Sequence, residues 1–252
     1  MSEIRMLVAD PRSAGSAGLG DDELAELYEV SDRAAPWLRA NFVSSADGAA
    51  THDGLSGGLG TSADRRVFDV LRRLADVIVV GAGTVRAEGY GGMRLGDEAV
   101  AWRAARGLPE QPAFAIVSRR LDLDPGGGVF ARAARRPLVL TCESAPAAQR
   151  EALSSVADVI DCGRASVDTR LLKERLAERG LPQQHSEGGP HLFGTMIEEG
   201  AIDELCLTIS PRLEGGTARR IADGHLMTPR ELRLAHALAA ADGTLLLRYV
   251  RA

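Results

Sequence analysis

Cysteine is scarce in this chain and never clustered: Cys142, Cys162 and Cys206 are the only three in 252 residues, and no two have C-x-x-C spacing. That argues against a disulfide framework and against a thiolate zinc site, and leaves the three as buried thiols. Long apolar runs are also missing. No stretch reaches the roughly 20 apolar residues that cross a bilayer, and the N-terminus lacks the basic flank and apolar centre of a signal peptide. A cytoplasmic protein without a membrane partner is expected. Lysine is almost absent, Lys173 being the single one among 30 lysines and arginines. Genome base composition produces such a bias, and its chemical result is that nearly every cation is a planar guanidinium able to grip phosphate through two parallel hydrogen bonds. A net charge of -5 leaves no basic surplus for a nucleic-acid backbone, so no nucleic-acid partner is expected. No G-x-S-x-G nucleophile elbow occurs, which argues against a serine hydrolase of that kind.

What is present suits a sizeable core, with 45% hydrophobic residues. Residues 1–35 are rich in Ala, Gly, Ser and Asp and read as a loosely packed N-terminal arm, and 36–252 as a single domain. From Trp37 a buried strand runs to the turn pair Asp47-Gly48. Thr61 to Asp64 fits a capping box, and Val67, Phe68, Leu71, Leu74 and Ala75 then follow helical spacing. Apolar runs at Val77–Val80, Ala113–Val117, Leu138–Thr141 and Val156–Ile160 alternate with helical patterns, one of them starting near Asp168 and stopped by Gly180 and Pro182. Such alternation implies an α/β fold with a mostly parallel central sheet and flanking helices. The C-terminal third changes character: Leu205–Ser210, Leu232–Leu238 and Thr244–Tyr249 read as strands, with an antiparallel hairpin turning at Asp242-Gly243.

The segment Ser186–Gly200, S-E-G-G-P-H-L-F-G-T-M-I-E-E-G, reads as a strand ending in an acid, a glycine pair and a helix N-terminus. Glycine lets a ligand approach backbone N–H groups, Pro190 suits the first helical position, and the positive end of the helix dipole favours an anion. A lone glycine pair is equally a tight turn. G-A-G-T-V-R, beginning at Gly81, has Arg86 where a dinucleotide fingerprint has its third glycine or alanine, although Thr84 can still bond a cofactor from a helix start. Ser118, Arg119 and Arg120 follow another strand, where two guanidiniums and a hydroxyl suit a 2′-phosphate. Asp47 and Glu187 stand at strand ends, the place of the ligand crevice in an open α/β sheet. His185-Ser186-Glu187 imitates half of a zinc-deaminase motif but lacks the P-C-x-x-C half, and no metal is expected.

Three segments, in this order and spacing, carry a resemblance: F-V-S-S-A-D-G from Phe42; S-G-G-L-G-T-S-A-D-R-R-V-F-D-V-L-R-R-L-A-D-V-I-V-V-G-A-G-T-V-R-A-E-G-Y from Ser56; and H-S-E-G-G-P-H-L-F-G-T-M-I-E-E-G-A-I-D-E-L-C-L-T-I-S-P from His185. Together they resemble the RibD C-terminal family, the riboflavin-biosynthesis pyrimidine reductases of dihydrofolate reductase-like fold. The resemblance implies an NADPH-dependent reductase of a ribosylaminopyrimidine 5′-phosphate, of the 5-amino-6-(5-phosphoribosylamino)uracil type, working as a homodimer. It implies that Ser56, Arg72, Arg94 and Glu187 contact substrate. Cofactor contacts would be Val43, Gly58, Thr84, Glu88, Ser118 with Arg119, and Gly188, Gly189, Pro190, His191, Leu192, Phe193, Gly194 and Thr195. Asp47 and Glu187 are the two candidate catalytic acids, able to donate a proton if burial raises the pKa of one of them. Glu187 in particular is read as a substrate ligand rather than a buried structural acid. The chain departs from the family at Ala46 and Ala49 beside Asp47, at Asn41 and at Gly58, which widens or neutralises the pocket. A dihydrofolate or pterin reductase, and an NADP-binding protein that has lost catalysis, are the alternatives.

Overall fold

Apolar runs bounded by turn residues become the strands of one sheet, and the amphipathic runs between them become its covering helices. The computed structural model describes residues 4–8, 18–224 and 229–252, the first of these by backbone alone. In chain order the elements are β1 (Ile4–Val8), α1 (Asp21–Tyr28), β2 (Trp37–Ser45), α2 (Ser62–Leu74), β3 (Val77–Gly81), α3 (Ala82–Ala87), α4 (Asp97–Ala104), β4 (Ala113–Val117), α5 (Gly128–Ala131) and β5 (Leu138–Thr141). They continue with α6 (Ala147–Ser154), β6 (Asp158–Asp161), α7 (Thr169–Ala177), β7 (Gln183–Ser186), α8 (Pro190–Glu199), β8 (Glu204–Ser210), β9 (Leu232–Ala240) and β10 (Leu245–Arg251). The sheet order is β1-β9-β10-β8-β2-β7-β3-β4-β5-β6. Strands β8 through β6 in that order run parallel, while β10, β9 and β1 extend the sheet antiparallel.

This is the mostly parallel α/β sheet expected, with the antiparallel turn at Asp242-Gly243 in place: Gly243 has φ +87° and the Asp242 carboxylate accepts from Thr244 N–H at 3.0 Å. Strand β10 does not simply follow β9 at the edge but inserts between β9 and β8. Strand β6 begins at Asp158, because Val156 and Ala157 still donate to the Leu153 carbonyl and close helix α6.

Strand β3 shows why the sheet is buried on both faces. Ile78 and Val80 pack with Phe114, Ile116 and Phe130, whereas Val77 and Val79 pack with Leu172 and Leu176 of α7 and Met196 of α8. Helix α2 starts where Thr61 accepts from Asp64 N–H at 3.2 Å, and it buries Ala63, Val67, Val70, Leu71 and Leu74, one stripe at helical spacing. The N-terminal arm requires a correction. Residues 1–3 and 9–17 lie outside the described residues, but 21–28 form helix α1, with Leu24, Ala25 and Tyr28 no more than 1% exposed against α2. The short helical pattern legible at Leu24, Leu27 and Tyr28 is thus the face of a packed helix rather than part of a loose arm. All three cysteines are buried and unbridged.

A cluster of charge is buried around β8. Glu204 of β8 accepts from Arg39 of β2 at 2.7 Å, from Arg248 of β10 at 3.0 Å and from the Trp37 indole at 2.8 Å, with its own side chain fully buried. Burial alone would raise its pKa, but the charges and hydrogen bonds of Arg39 and Arg248 hold it at about 2. A carboxylate depressed in the folded state contributes stability above its unfolded pKa, near 4.5, and loses that contribution as pH falls toward 2. Glu204→Gln leaves two buried guanidiniums without a countercharge and should cost about 3–5 kcal/mol in denaturant unfolding at pH 7. The same measurement between pH 5 and pH 2 should show a shallower acid loss in the variant than in the wild type.

Candidate functional site

A cleft of about 960 Å³ opens at the carboxyl ends of β3, β4 and β7. Its floor is Gly81–Thr84 with Glu88, then Val117–Arg120, then Gly189–Leu192, and another wall is Thr51, Asp53, Gly54 and the segment from Glu214 to Arg219. Neighbouring parallel strands deliver their following turns to one edge, so the starts of α3 and α8 meet there. The two turns touch by backbone: Gly81 N–H donates to the Gly188 carbonyl at 2.8 Å. A Cβ at residue 189 would stand 2.4 Å from Thr84 Oγ1, so any side chain there would have to displace the Thr84 hydroxyl. Gly188 has φ +98°, and the Gly188–Gly189 bond is cis. Helix α8 starts with Pro190 at its first position and no side-chain cap, so the N–H groups of its first turn and the positive end of its dipole face the cleft.

The run Gly189–Thr195 divides. Residues 189 to 192 line the cleft, whereas Phe193 is 3% exposed and stacks on Phe42 with ring centroids 4.6 Å apart. Gly194 lies under the Asp223 carbonyl, which a Cβ would meet at 2.2 Å, and Thr195 donates to the His191 carbonyl at 3.0 Å. Phe193, Gly194 and Thr195 therefore build the wall rather than face a ligand. Val43 lies half-buried in β2 opposite Thr208, and Gly58 packs on the His52 ring while its carbonyl accepts from Arg212 at 2.9 Å; neither lines the cleft. Thr84, Glu88, Ser118 and Arg119 do, as does Arg120.

Neither acid is placed as a neutral proton donor. The Ser45 hydroxyl donates to Asp47, whose carboxylate also accepts from Glu214 N–H at 3.1 Å and Gly215 N–H at 2.7 Å. Those bonds, the Ser45 one foremost, lower its pKa to about 2. Glu187 has a side chain only 1% exposed, gripped by Arg72 through Nε at 2.6 Å and Nη2 at 2.8 Å, and by the Tyr90 hydroxyl at 2.8 Å. Burial pushes its pKa up, but the Arg72 hydrogen bonds and charge push harder the other way and leave it below the ordinary carboxylate range. Glu187 is thus a buried acid that fixes Arg72 rather than an open substrate ligand. Arg72, in the last turn of α2, is also stacked 4.1 Å over Phe68. Beside them His185 is fully buried, with its pKa lowered to about 4 by burial and no hydrogen-bond partner for either ring nitrogen among the described residues. Ser56 and Glu88 meet, the Ser56 hydroxyl donating to the Glu88 carboxylate at 2.9 Å. Arg94 is exposed and makes no ion pair with any described residue. Among the described residues no His, Cys, Asp and Glu group is placed to hold a metal, and no helix is long and apolar enough to cross a membrane.

Sequence reasoning missed Tyr90 and the segment after β8. A single tyrosine in a glycine-rich loop has no periodic signal, and the pairing of Asp47 with Glu214 and Gly215 spans 167 and 168 residues.

Residues 36–246 match the RibD C-terminal domain. The chain belongs to this family of pyrimidine reductases. It is 35% identical over 193 residues to the 2,5-diamino-6-ribosylamino-4(3H)-pyrimidinone 5′-phosphate reductase of Methanothermobacter thermautotrophicus, spanning 75% of this chain and 84% of that one. It is 30% identical over 191 residues to the riboflavin biosynthesis protein RibD of Mycobacterium tuberculosis, again 75% of this chain but 46% of the relative, so it spans about half of that protein's length. The crystal structure of a pyrimidine reductase-like protein from Corynebacterium diphtheriae superposes with a TM-score of 0.82 at 25% identity, over 93% of this chain and 99% of that one. The RibD C-terminal fold, dihydrofolate reductase-like, thus accounts for the cleft between the starts of α3 and α8.

The Glu187 geometry has a direct test. In this RibD-family chain Glu187→Gln keeps the shape but removes the charge that holds Arg72, at a cost of about 1.5–3 kcal/mol. A melting temperature lower by roughly 3–10 °C should follow in thermal unfolding. Because the folded pKa is depressed, the difference between variant and wild type should shrink as pH falls through and below the ordinary carboxylate range.

Proposed function

We propose that this protein is an NADPH-dependent reductase acting on a ribosylaminopyrimidine 5′-phosphate. The observation that carries the reading is the glycine cradle: Gly189 packs where a Cβ would displace the Thr84 hydroxyl, and it opens the start of α8 to an anion. A dinucleotide suits a cleft of this size, with its pyrophosphate over Gly189–Leu192 and its adenosine phosphate beside Ser118, Arg119 and Arg120. NADPH bound there supplies hydride to the sugar carbon once the ribosylamine has opened to an imine.

The chain's own residues bind and orient. Arg72, locked by Glu187 and stacked on Phe68, presents a fixed cation, and exposed Arg94 adds a second for the substrate's 5′-phosphate. Ser56 is oriented by Glu88, which also lines the cofactor cleft and so ties the two subsites together. With Asp47 and Glu187 both ionised at neutral pH, the reading takes the proton of ring opening from solvent rather than from either acid. The pyrimidinone named for the Methanothermobacter relative supports this substrate class over a pteridine.

The test is turnover. Incubated with NADPH and either the 2,5-diaminopyrimidinone or the 5-aminouracil ribosylamine phosphate, the protein should consume reduced nicotinamide, and it should not do so with dihydrofolate. Consumption with the pteridine alone would give the site to a pterin, and consumption with none would leave a cofactor-binding protein. Arg119→Ala should weaken NADPH by about 1–3 kcal/mol and leave NADH nearly unchanged.

We also propose a homodimer, in which a second copy covers the antiparallel end of the sheet. Leu232 and Leu234 of β9 stay 38% and 37% exposed there, beside half-buried Leu247 and Tyr249 of β10. Sedimentation at micromolar concentration should give twice the chain mass, and Leu234→Arg should give the monomer.

A further inference from the structure

The cleft's charges do not balance in pairs. Arg86 is committed to Asp122, at 2.6 Å from its carbonyl and 3.6 Å from its carboxylate, while Asp53 and Glu214 flank His52 at 3.6 and 2.8 Å. Glu88 is taken by Ser56. Three cleft-lining guanidiniums, Arg119, Arg120 and Arg219, are exposed and have no ion pair with any described residue. The first two follow β4, but Arg219 comes from the wall formed by the segment after β8.

That wall is a strap, residues 211–224, pinned along its length. Ala46 N–H donates to the Arg212 carbonyl at 2.8 Å, and the Asp47 carboxylate holds Glu214 N–H and Gly215 N–H. Ala50 N–H donates to the Arg219 carbonyl at 2.7 Å. Asp223 N–H then donates to the Pro190 carbonyl at 3.1 Å, and its carboxylate lies 3.3 Å from His191, which ties the strap to the first turn of α8. Gly194 permits this contact, since any Cβ would strike the Asp223 carbonyl. Arg219 is therefore held at its own backbone between two anchors, on the same cleft as the uncapped N–H groups of α8.

We propose that Arg219 is a phosphate ligand that reaches from the strap to the pyrophosphate of a dinucleotide held at the start of helix α8, with Asp47 the positioning residue that sets the strap. The proposal rests on the dinucleotide reading above. A diphosphate lying over the helix start leaves outer oxygens facing the strap, and a guanidinium held there donates charge-assisted bonds to them without first breaking an internal ion pair. Asp47 is itself outside the cleft lining and acts through the backbone it caps. Its carboxylate, expected to be a proton donor, is thereby given a different task.

The pyrophosphate is common to NADPH and NADH, so both should report it. Titrations of the full chain with each nucleotide should show Arg219→Ala weakening the two alike, by about 5- to 30-fold, with Arg219→Lys intermediate. Asp47→Ala should weaken both by no more than Arg219→Ala does, and should add little in the Arg219→Ala background. If Asp47→Ala unfolds, Asp47→Asn, which keeps an acceptor for one of the two N–H groups, serves in the same cycle. Loss confined to NADPH would assign Arg219 to the 2′-phosphate and overturn the proposal, as would no loss with either nucleotide. Fully additive losses would overturn the role of Asp47. A wild type that binds neither nucleotide, while remaining folded by circular dichroism, would instead overturn the functional reading beneath it.

Discussion

Two chain reversals, one after β3 and one after β7, press together at the carboxyl edge of the sheet, with the Thr84 side chain packed directly over Gly189. Strands β3 and β7 are neighbours, Val79 opposite Ser186, so the turns Gly81–Thr84 and Glu187–Pro190 leave the sheet side by side. Their contact sets where α3 and α8 begin, and the separation of those two helix starts is the floor of the cleft. A larger residue at 189 would drive the turns apart by displacing Thr84. The positions of Ser118, Arg119 and the strap matter to a ligand only because that floor is fixed first.

Two of the buried charge groups lie on adjacent parts of the sheet. Glu204, with Arg39 and Arg248, ties β8 to β2 and β10, and Glu187, with Arg72 and Tyr90, ties the end of β7 to α2 and the loop after α3. Replacing a buried ion pair with packed hydrophobic residues is often neutral or better for stability, so such groups are better understood as devices that fix geometry. His185 lies 3.7 Å from Glu187 and stays neutral through burial, which leaves Arg72 as the dominant partner of that acid. The same desolvation that would make a lone carboxyl a proton donor is here outweighed by guanidiniums, and this separates positioning from proton transfer in the site.

Local signals in the sequence reached most of the fold. Strands β4 and β5 match the apolar runs residue for residue, and Thr61 and Asp168 cap their helices as their side chains imply. The cleft floor was also legible, because glycine, proline and a helix start form a contiguous pattern. What was not legible depended on pairs distant in sequence. Nothing near Asp47 indicates that Glu214 and Gly215 will come to it, and nothing near Glu187 indicates that Arg72 will occupy both its oxygens. In the arm the short helical pattern around Leu24, Leu27 and Tyr28 was legible, but not its burial, because eight residues with an acidic first turn do not indicate that Leu24, Ala25 and Tyr28 pack against α2.

The order of strands in the sheet also bears on how the chain assembles. Strands β3, β4, β5 and β6 are consecutive in sequence and adjacent in space, so that half can form as its helices emerge. Strand β2, although early, pairs only with β7 and β8, Arg39 opposite both His185 and Glu204, and so must wait for some 150 residues to be added before it has a neighbour. Strand β8 keeps one edge bare until β10, the last strand, fills the gap between β8 and β9. Until then the β8 edge that faces β10 is bare, the condition under which strands find partners in other chains. The Glu204 ion cluster needs β2, β8 and β10 together, so its full set of contacts exists only once the C-terminal strand is in place between β8 and β9.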